Sequence, residues 1–237
     1  MRLHLLTWDV KDTLLRARRP VGDLYSSEAR KHGVQVKAED LNKSFAEAYR
    51  TQRKSFPNYG LAQGLSSKQW WVDTVKQTFR LCGVSEDRVL SPVAEKLYRD
   101  FASAGNWETF ADVKGALDHC NKLGIRMGVI SNFDRRLEQV LSSCELRHYF
   151  EFVLTSEDVG VTKPDQRIFR AALEMARVEP PQAAHIGDDV RKDYLAARSV
   201  GMNGFLIRRD DEALDVEGVV PRVHILHSLQ QLCNILE

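Results

Sequence analysis

Hydrophobic positions along the chain change their period twice. Near the start, the run Leu5-Leu6-Thr7-Trp8 ends abruptly in Asp9 and a polar turn, Val10-Lys11-Asp12-Thr13. An apolar run of this kind reads as a buried parallel strand that delivers an acid at its C-terminal end. From there the apolar positions recur at helical spacing. Asp23 to His32 reads as a helix stopped by Gly33, and Ala38 to Arg53 as a longer one with Leu41, Phe45, Ala48 and Tyr49 on one face. After the breaker cluster Phe56-Pro57-Asn58-Tyr59-Gly60, the stretch Ser66-Ser67-Lys68-Gln69 has the form of a capping box, Ser66 as cap and Gln69 reaching back. It opens a helix carrying Trp70, Trp71, Val75 and Phe79. Another, from Glu86 to Phe101, aligns Val89, Val93, Leu97 and Phe101. Amphipathic helices with no strand between them predict a compact bundle.

Beyond Ser103-Ala104-Gly105-Asn106, read as a return linker, helical and strand patterns alternate. Helices are expected over Asp112–Leu123, Arg135–Cys144, Asp165–Ala176, Arg191–Val200 and Ile225–Leu236. Strands are expected at Ile125–Ile130, Phe152–Leu154, Ala183–Ile186 and Phe205–Ile207. Such alternation predicts an α/β fold, a Rossmann-like parallel-sheet core covered by helices on both faces. The core is assigned to residues 1–15 and 106–237, and residues 16–105 to an inserted helical-bundle domain. Arg18-Arg19-Pro20 and Ser103-Ala104-Gly105 mark the hinges.

Composition narrows the classes. Over 237 residues, 34 Lys and Arg stand against 33 Asp and Glu, a net charge of +1 with the basic residues scattered. No one-signed field is offered to nucleic acid or to a membrane surface. Cys82, Cys120, Cys144 and Cys233 are far apart, which suggests buried thiols in a reducing compartment rather than a disulfide framework or zinc site. No apolar run approaches the roughly 20 residues that span a bilayer. The expectation is a soluble intracellular protein without nucleic acid or membrane as partner.

Three later stretches join Asp9 at predicted strand ends: Val129-Ile130-Ser131-Asn132, Thr162-Lys163-Pro164-Asp165, and His185-Ile186-Gly187-Asp188-Asp189 with Asp193 beyond. Open α/β sheets bind ligands at that edge. Group transfer through an Asp needs a carboxylate nucleophile, a cation to draw charge together, and donors for the transferred group. Asp9 suits the first role. Asp9 and Asp188 suit a hard cation such as Mg²⁺, Lys163 adds fixed positive charge, and Ser131 and Asn132 offer a hydroxyl and a backbone N–H to phosphate oxygens. Each has a duller reading. Asp188 and Asp189 would cap the next helix, Ser131-Asn132 would be an ordinary turn, and His185 would be a hydrogen-bonded core histidine. Trp70, Trp71 and Tyr59 read first as bundle core, with lining of the substrate cleft as the alternative.

In order and spacing these stretches resemble the motifs of the haloacid dehalogenase-like hydrolases, over almost the whole chain. Asp9 takes the nucleophile position with Thr13 closing its motif, Ser131 matches the second motif, Lys163 the third, and Asp188 with Asp193 the acidic fourth. The resemblance implies a helical cap for the insertion, Mg²⁺ as cofactor with the backbone carbonyl of Lys11 as a third ligand, and Asp193 orienting Lys163 or metal-bound water. Two positions depart, Asp12 standing where the family usually has Gly, and the other is the more serious. Phosphatases of the family carry a second Asp two residues after the nucleophile, as the acid that protonates the leaving group, and here that residue is Lys11.

An ammonium with a reference pKa near ~10.4 is poorly matched to acid–base exchange at neutral pH. At about 5 Å and an effective dielectric of about 20 it would repel a divalent ion by roughly 6–7 kcal/mol before carboxylates offset it. Lys11 is therefore expected to turn away and pair with Asp12 or a cap carboxylate, to bind an anionic substrate, or to act as an unusual acid. Asp12, one residue late, would face the opposite side in an extended turn. Three readings stand: a Mg²⁺-dependent hydrolase of a small phosphorylated or anionic metabolite, a weak or inactive relative that binds a ligand or partner, and a non-phosphatase hydrolase such as a dehalogenase.

Overall fold

Leu5–Trp8, the apolar run before Asp9, is a strand with every residue buried. The structure, a computed structural model, describes residues 3–209 and 218–236. In chain order its strands are β1 (Leu5–Trp8), β2 (Leu15–Ala17), β3 (Trp107–Thr109), β4 (Arg126–Ser131), β5 (Phe152–Thr155), β6 (Ala183–Gly187), β7 (Asn203–Ile207) and β8 (Ile225–Leu226). Its helices are α1 (Val21–Lys31), α2 (Ala38–Ser55), α3 (Ser67–Leu81), α4 (Asp87–Asp100), α5 (Val113–Lys122), α6 (Leu137–Ser143), α7 (Ser156–Val159), α8 (Gln166–Ala176), α9 (Ala196–Ser199) and α10 (Gln230–Leu236). None among the described residues is long and apolar enough to cross a membrane.

The chain divides into two compact units, residues Met1–Arg16 with Thr109–Glu237, and residues Ala17–Glu108. In the first, six strands pair in the order β5-β4-β1-β6-β7-β8, each pairing parallel. Trp8 lies level with Val129 of β4 and Ile186 of β6. The residues that follow these three strands therefore emerge at one edge of the sheet, where the strand order reverses about β1, and α/β sheets place their ligands there. Helices α8 and α9 press Ile168, Phe169, Ala172, Leu173, Ala196 and Ala197 onto Leu5, Ile130 and Leu154, while α5 and α6 bury Val113, Ala116, Leu117, Val140 and Leu141.

The second unit packs α1 to α4 about Tyr25, Leu41, Val72, Val75, Phe79, Leu90, Val93 and Leu97. Burying each large side chain there contributes about 1.5–3 kcal/mol. Ser66 caps α3 as expected, accepting from the Gln69 backbone N–H at 3.1 Å. Gln69 does not complete the box. Its side-chain amide donates to Asp73 at 2.8 Å, a partner one helical turn onward.

Local pattern missed three features. The expected linker at Ser103–Asn106 is a single tight turn that leads into β3, and β3 pairs with β2 in a two-stranded ribbon. Ile225 and Leu226 do not open the last helix. They form β8, held by Leu206 and Ile207 of β7, and α10 starts at Gln230. Strands of two or three residues exist only through a partner distant in the chain, so no local period announces them. The expected helix at Arg191 begins instead with a widened turn over Val190–Leu195, in which the Tyr194 N–H donates to Asp189 five residues back.

Candidate active site

At the edge past β1, Asp9 continues the ladder by one bond, its N–H donating to the Ile186 carbonyl at 2.9 Å. That bond fixes the direction of its side chain. Lys163, from the loop ahead of α8, is almost wholly buried. Its Nζ donates to Asp9 Oδ1 at 2.8 Å, Asp193 Oδ1 at 2.6 Å and the Ile130 carbonyl at 2.9 Å. Burial by itself would lower the Lys163 pKa. The carboxylates of Asp193 and Asp9 override it and push the value up to about 12, so the ammonium is a permanent charge.

Asn132 clasps the same lysine by its backbone. Its Oδ1 accepts from the Lys163 N–H at 2.7 Å and its Nδ2 donates to the Lys163 carbonyl at 2.9 Å. The sequence predicted a ligand-binding backbone N–H at Asn132 but not this side-chain role. Ser131, the last residue of β4, is buried beside the clasp.

Asp193 is the most tightly held acid. It receives Lys163 Nζ, the Asp189 N–H at 3.0 Å, and His185 Nε2 at 3.1 Å. Burial opposes its charge, yet Lys163 and His185 hold its carboxyl well below the usual range. His185 is fully buried in β6 and meets Thr7 Oγ1 at 2.9 Å with its other nitrogen. Burial pushes its pKa down against the pull of Asp193, which leaves a neutral imidazole as a fixed donor. It is the hydrogen-bonded core histidine the sequence suggested, with an acid of the site as its partner.

Gly187 makes this approach possible. A Cβ there would lie 2.2 Å from Asp193 Cγ, inside any tolerable contact.

Asp188 and Asp189 divide the two roles left open for them. Asp189 caps the following turn, accepting from the N–H groups of Arg191 and Lys192 at 2.9 and 2.8 Å. Asp188 faces the loop after Asp9 and accepts from Thr13 Oγ1 at 3.2 Å. Burial and the charges of Asp9, Asp193 and Asp12 push its carboxyl up to about 7. One ligand oxygen from each of Asp9, Asp188 and Asp193 falls within 4.8 Å of the others. With the Lys163 ammonium included, the three carboxylates amount to a charge of −2 when all are ionised. Hard oxygen donors crowded until one resists ionisation suit a small divalent cation.

Lys11 turns to Asp12, with which it forms an ion pair, and its side chain is 57% exposed. This is the first of the three outcomes foreseen for it. Asp12 has φ of 63°, a left-handed conformation that Asp tolerates better than most residues. The turn is thus not extended, and the alternation argument about which way Asp12 faces does not apply.

A family model described as haloacid dehalogenase-like hydrolase matches residues 3–201. The chain is 50% identical over 239 residues to haloacid dehalogenase-like hydrolase domain-containing protein 3 of Bos taurus, covering 100% of this chain and 95% of that protein. This chain belongs to the haloacid dehalogenase-like hydrolase family. Solved structures with the same fold include a 2-haloacid dehalogenase from Pseudomonas syringae, with TM-score 0.70, 23% identity, and 99% and 98% of the two chains covered. Another is a phosphatase of the family from Thermococcus onnurineus, with TM-score 0.68, 22% identity, and 100% and 98% covered. Both chemistries therefore occur on this fold. Within the haloacid dehalogenase-like hydrolase frame, the first, third and fourth motif stretches bring Asp9, Thr13, Lys163, Asp188 and Asp193 into one cluster, with Ser131 of the second at the adjoining strand end and the Lys11 side chain directed to Asp12.

Proposed function

We propose that this chain is a Mg²⁺-dependent hydrolase that uses Asp9 as nucleophile on a small phosphorylated or otherwise anionic metabolite. The observation that carries the reading is the buried Lys163 ammonium 2.8 Å from Asp9, within a carboxylate cluster that suits a cation. Asp9 and Asp188, with the carbonyl of Lys11, would hold Mg²⁺, which supplies charge neutralisation between the acids and an incoming anion. For a phosphate monoester, an Asp9 oxygen bonds to phosphorus as the bond to the leaving oxygen breaks, and that oxygen takes a proton from solvent. Water then attacks phosphorus, the bond to Asp9 breaks, and phosphate leaves with the carboxylate restored. Lys163 stabilises the charge at the reacting group, while Ser131 and the Asn132 N–H donate to its oxygens. Asp193 keeps Lys163 in place, and Thr13 steadies Asp188. The helical unit acts as a cap, hinged near Arg18-Arg19-Pro20 and Ser103-Ala104-Gly105.

The test is a phosphometabolite panel with Mg²⁺, with p-nitrophenyl phosphate and 2-chloropropionate in parallel and Asp9→Asn as control. Phosphate release that the substitution abolishes is expected. Release that survives it overturns the nucleophile assignment, and chloride release alone moves the reading to a dehalogenase.

A second reading, a ligand-binding or interaction module, is favoured by Lys11 itself, which places an ammonium paired with Asp12 where the phosphatases carry an acid. It predicts binding of inorganic phosphate without turnover of any ester on the panel.

A further inference from the structure

Thr13 is held from two sides. While its hydroxyl reaches Asp188, its carbonyl oxygen accepts from Nε and Nη2 of Arg209 at 3.0 and 2.6 Å. Nη1 of the same guanidinium donates to both oxygens of Asp112, at 3.0 and 3.2 Å. Its Cζ lies 3.7 Å from the centroid of the Phe110 ring. Asp112 is engaged on its other side by the Ser228 hydroxyl at 2.9 Å and the Leu229 N–H at 2.8 Å. The Arg209 and Asp112 side chains are 13% and 11% exposed.

A buried ion pair is weak evidence for stability, because desolvation consumes most of its attraction. What this pair does is better read from the group it shares. In the turn after Asp9, the N–H groups of Thr13, Leu14 and Leu15 all converge on the single carbonyl of Val10. The Leu14 N–H thereby ties one end of the Thr13–Leu14 peptide to Val10. A forked pair of charge-assisted bonds to the Thr13 oxygen holds the other end, and lysine offers no such planar fork.

We propose that Arg209, oriented by Asp112, is a positioning residue for the nucleophile loop, holding the Thr13 peptide so that its hydroxyl stays on Asp188. The inference rests on reading that loop as the reactive one. It adds a residue beyond the motif stretches and ties Ser228 and Leu229, near the end of the chain, to the site.

The test compares Arg209→Lys with Arg126→Met in the full chain. Arg126 serves as control because it binds Glu151 and the Ala176 carbonyl at the opposite end of β4 from Ser131. Three readouts are taken equally far below each melting temperature: amide exchange at Thr13, Leu14 and Leu15, the NMR amide resonance of Asp188, and the affinity for Mg²⁺ alone by calorimetry. In Arg209→Lys, exchange at the three amides is expected to rise at least tenfold, the Asp188 resonance to move, and the Mg²⁺ affinity to fall at least fivefold. None of these is expected in Arg126→Met.

An unmoved Asp188 resonance in Arg209→Lys overturns the positioning role, even where the protein is destabilised. Absence of Mg²⁺ binding by the unsubstituted protein overturns the metal assignment alone. The exchange and resonance comparisons then decide Arg209.

Discussion

Asp188→Asn tests the charge crowding directly. Burial and three neighbouring acids raise the Asp188 pKa from the ordinary 3.8 to about 7. That gap corresponds to about 4 kcal/mol at about 1.36 kcal/mol per pH unit. The folded protein keeps a proton that the unfolded chain releases between pH about 4 and about 7, so the contribution of Asp188 to stability falls as pH rises through that window and is lowest above it. Asparagine preserves the shape and the oxygen that accepts from Thr13, and removes the charge. Relaxation around Asp9 reduces the recoverable part, so Asp188→Asn is expected to be about 2–4 kcal/mol more stable than the parent at pH 8 in EDTA. Near pH 4 the difference should vanish. Mg²⁺ at a hundredfold excess over its dissociation constant should add about 2.7 kcal/mol to the parent and much less to the variant. Urea unfolding at the two pH values, with EDTA or Mg²⁺, measures all four quantities. A variant less stable than the parent at pH 8 in EDTA, or a gap independent of pH, would refute the reasoning.

Lys163→Met leaves Asp9 and Asp193 without their shared counter-charge, and urea unfolding at pH 8 should record a loss of about 3–5 kcal/mol. Gly187→Ala forces a methyl against Asp193 and should cost about 1–3 kcal/mol; an unchanged unfolding midpoint would contradict the close approach. Lys11→Asp should change stability by about 1 kcal/mol or less, because the pair it breaks with Asp12 is exposed. If an acid is all the site lacks, it should also raise p-nitrophenyl phosphate hydrolysis by about 10²–10⁴-fold, with the gain lost on adding Asp9→Asn. A rate that stays flat while the fold and Mg²⁺ affinity are sound would favour the binding module.

What the sequence determined alone is what depends on near neighbours. An apolar run broken by Asp9 is a buried strand because strand ends and side-chain period are local properties, and the same holds for the stretches ending in Ser131 and Gly187. The helical stripes of α1 to α4, the Ser66 cap and the order of the motifs were legible for the same reason. Tertiary structure decided everything that needs a partner far along the chain. Strands β2, β3 and β8 carry too few residues to show a period and exist through their pairings. Asn132 reads as a turn residue until Lys163 arrives to be clasped. His185 reads as core until Asp193 folds over Gly187 to meet it, and which of Asp188 and Asp189 caps a helix depends on where Thr13 lies. Arg209 carries no local signal, because its meaning resides in a carbonyl 196 residues away. The sequence singled out the acids and the lysine that the fold brings together, since their chemistry is written in residue type. Only the fold could supply the groups that aim them, because aiming is a matter of distance and direction between segments that the chain itself keeps apart.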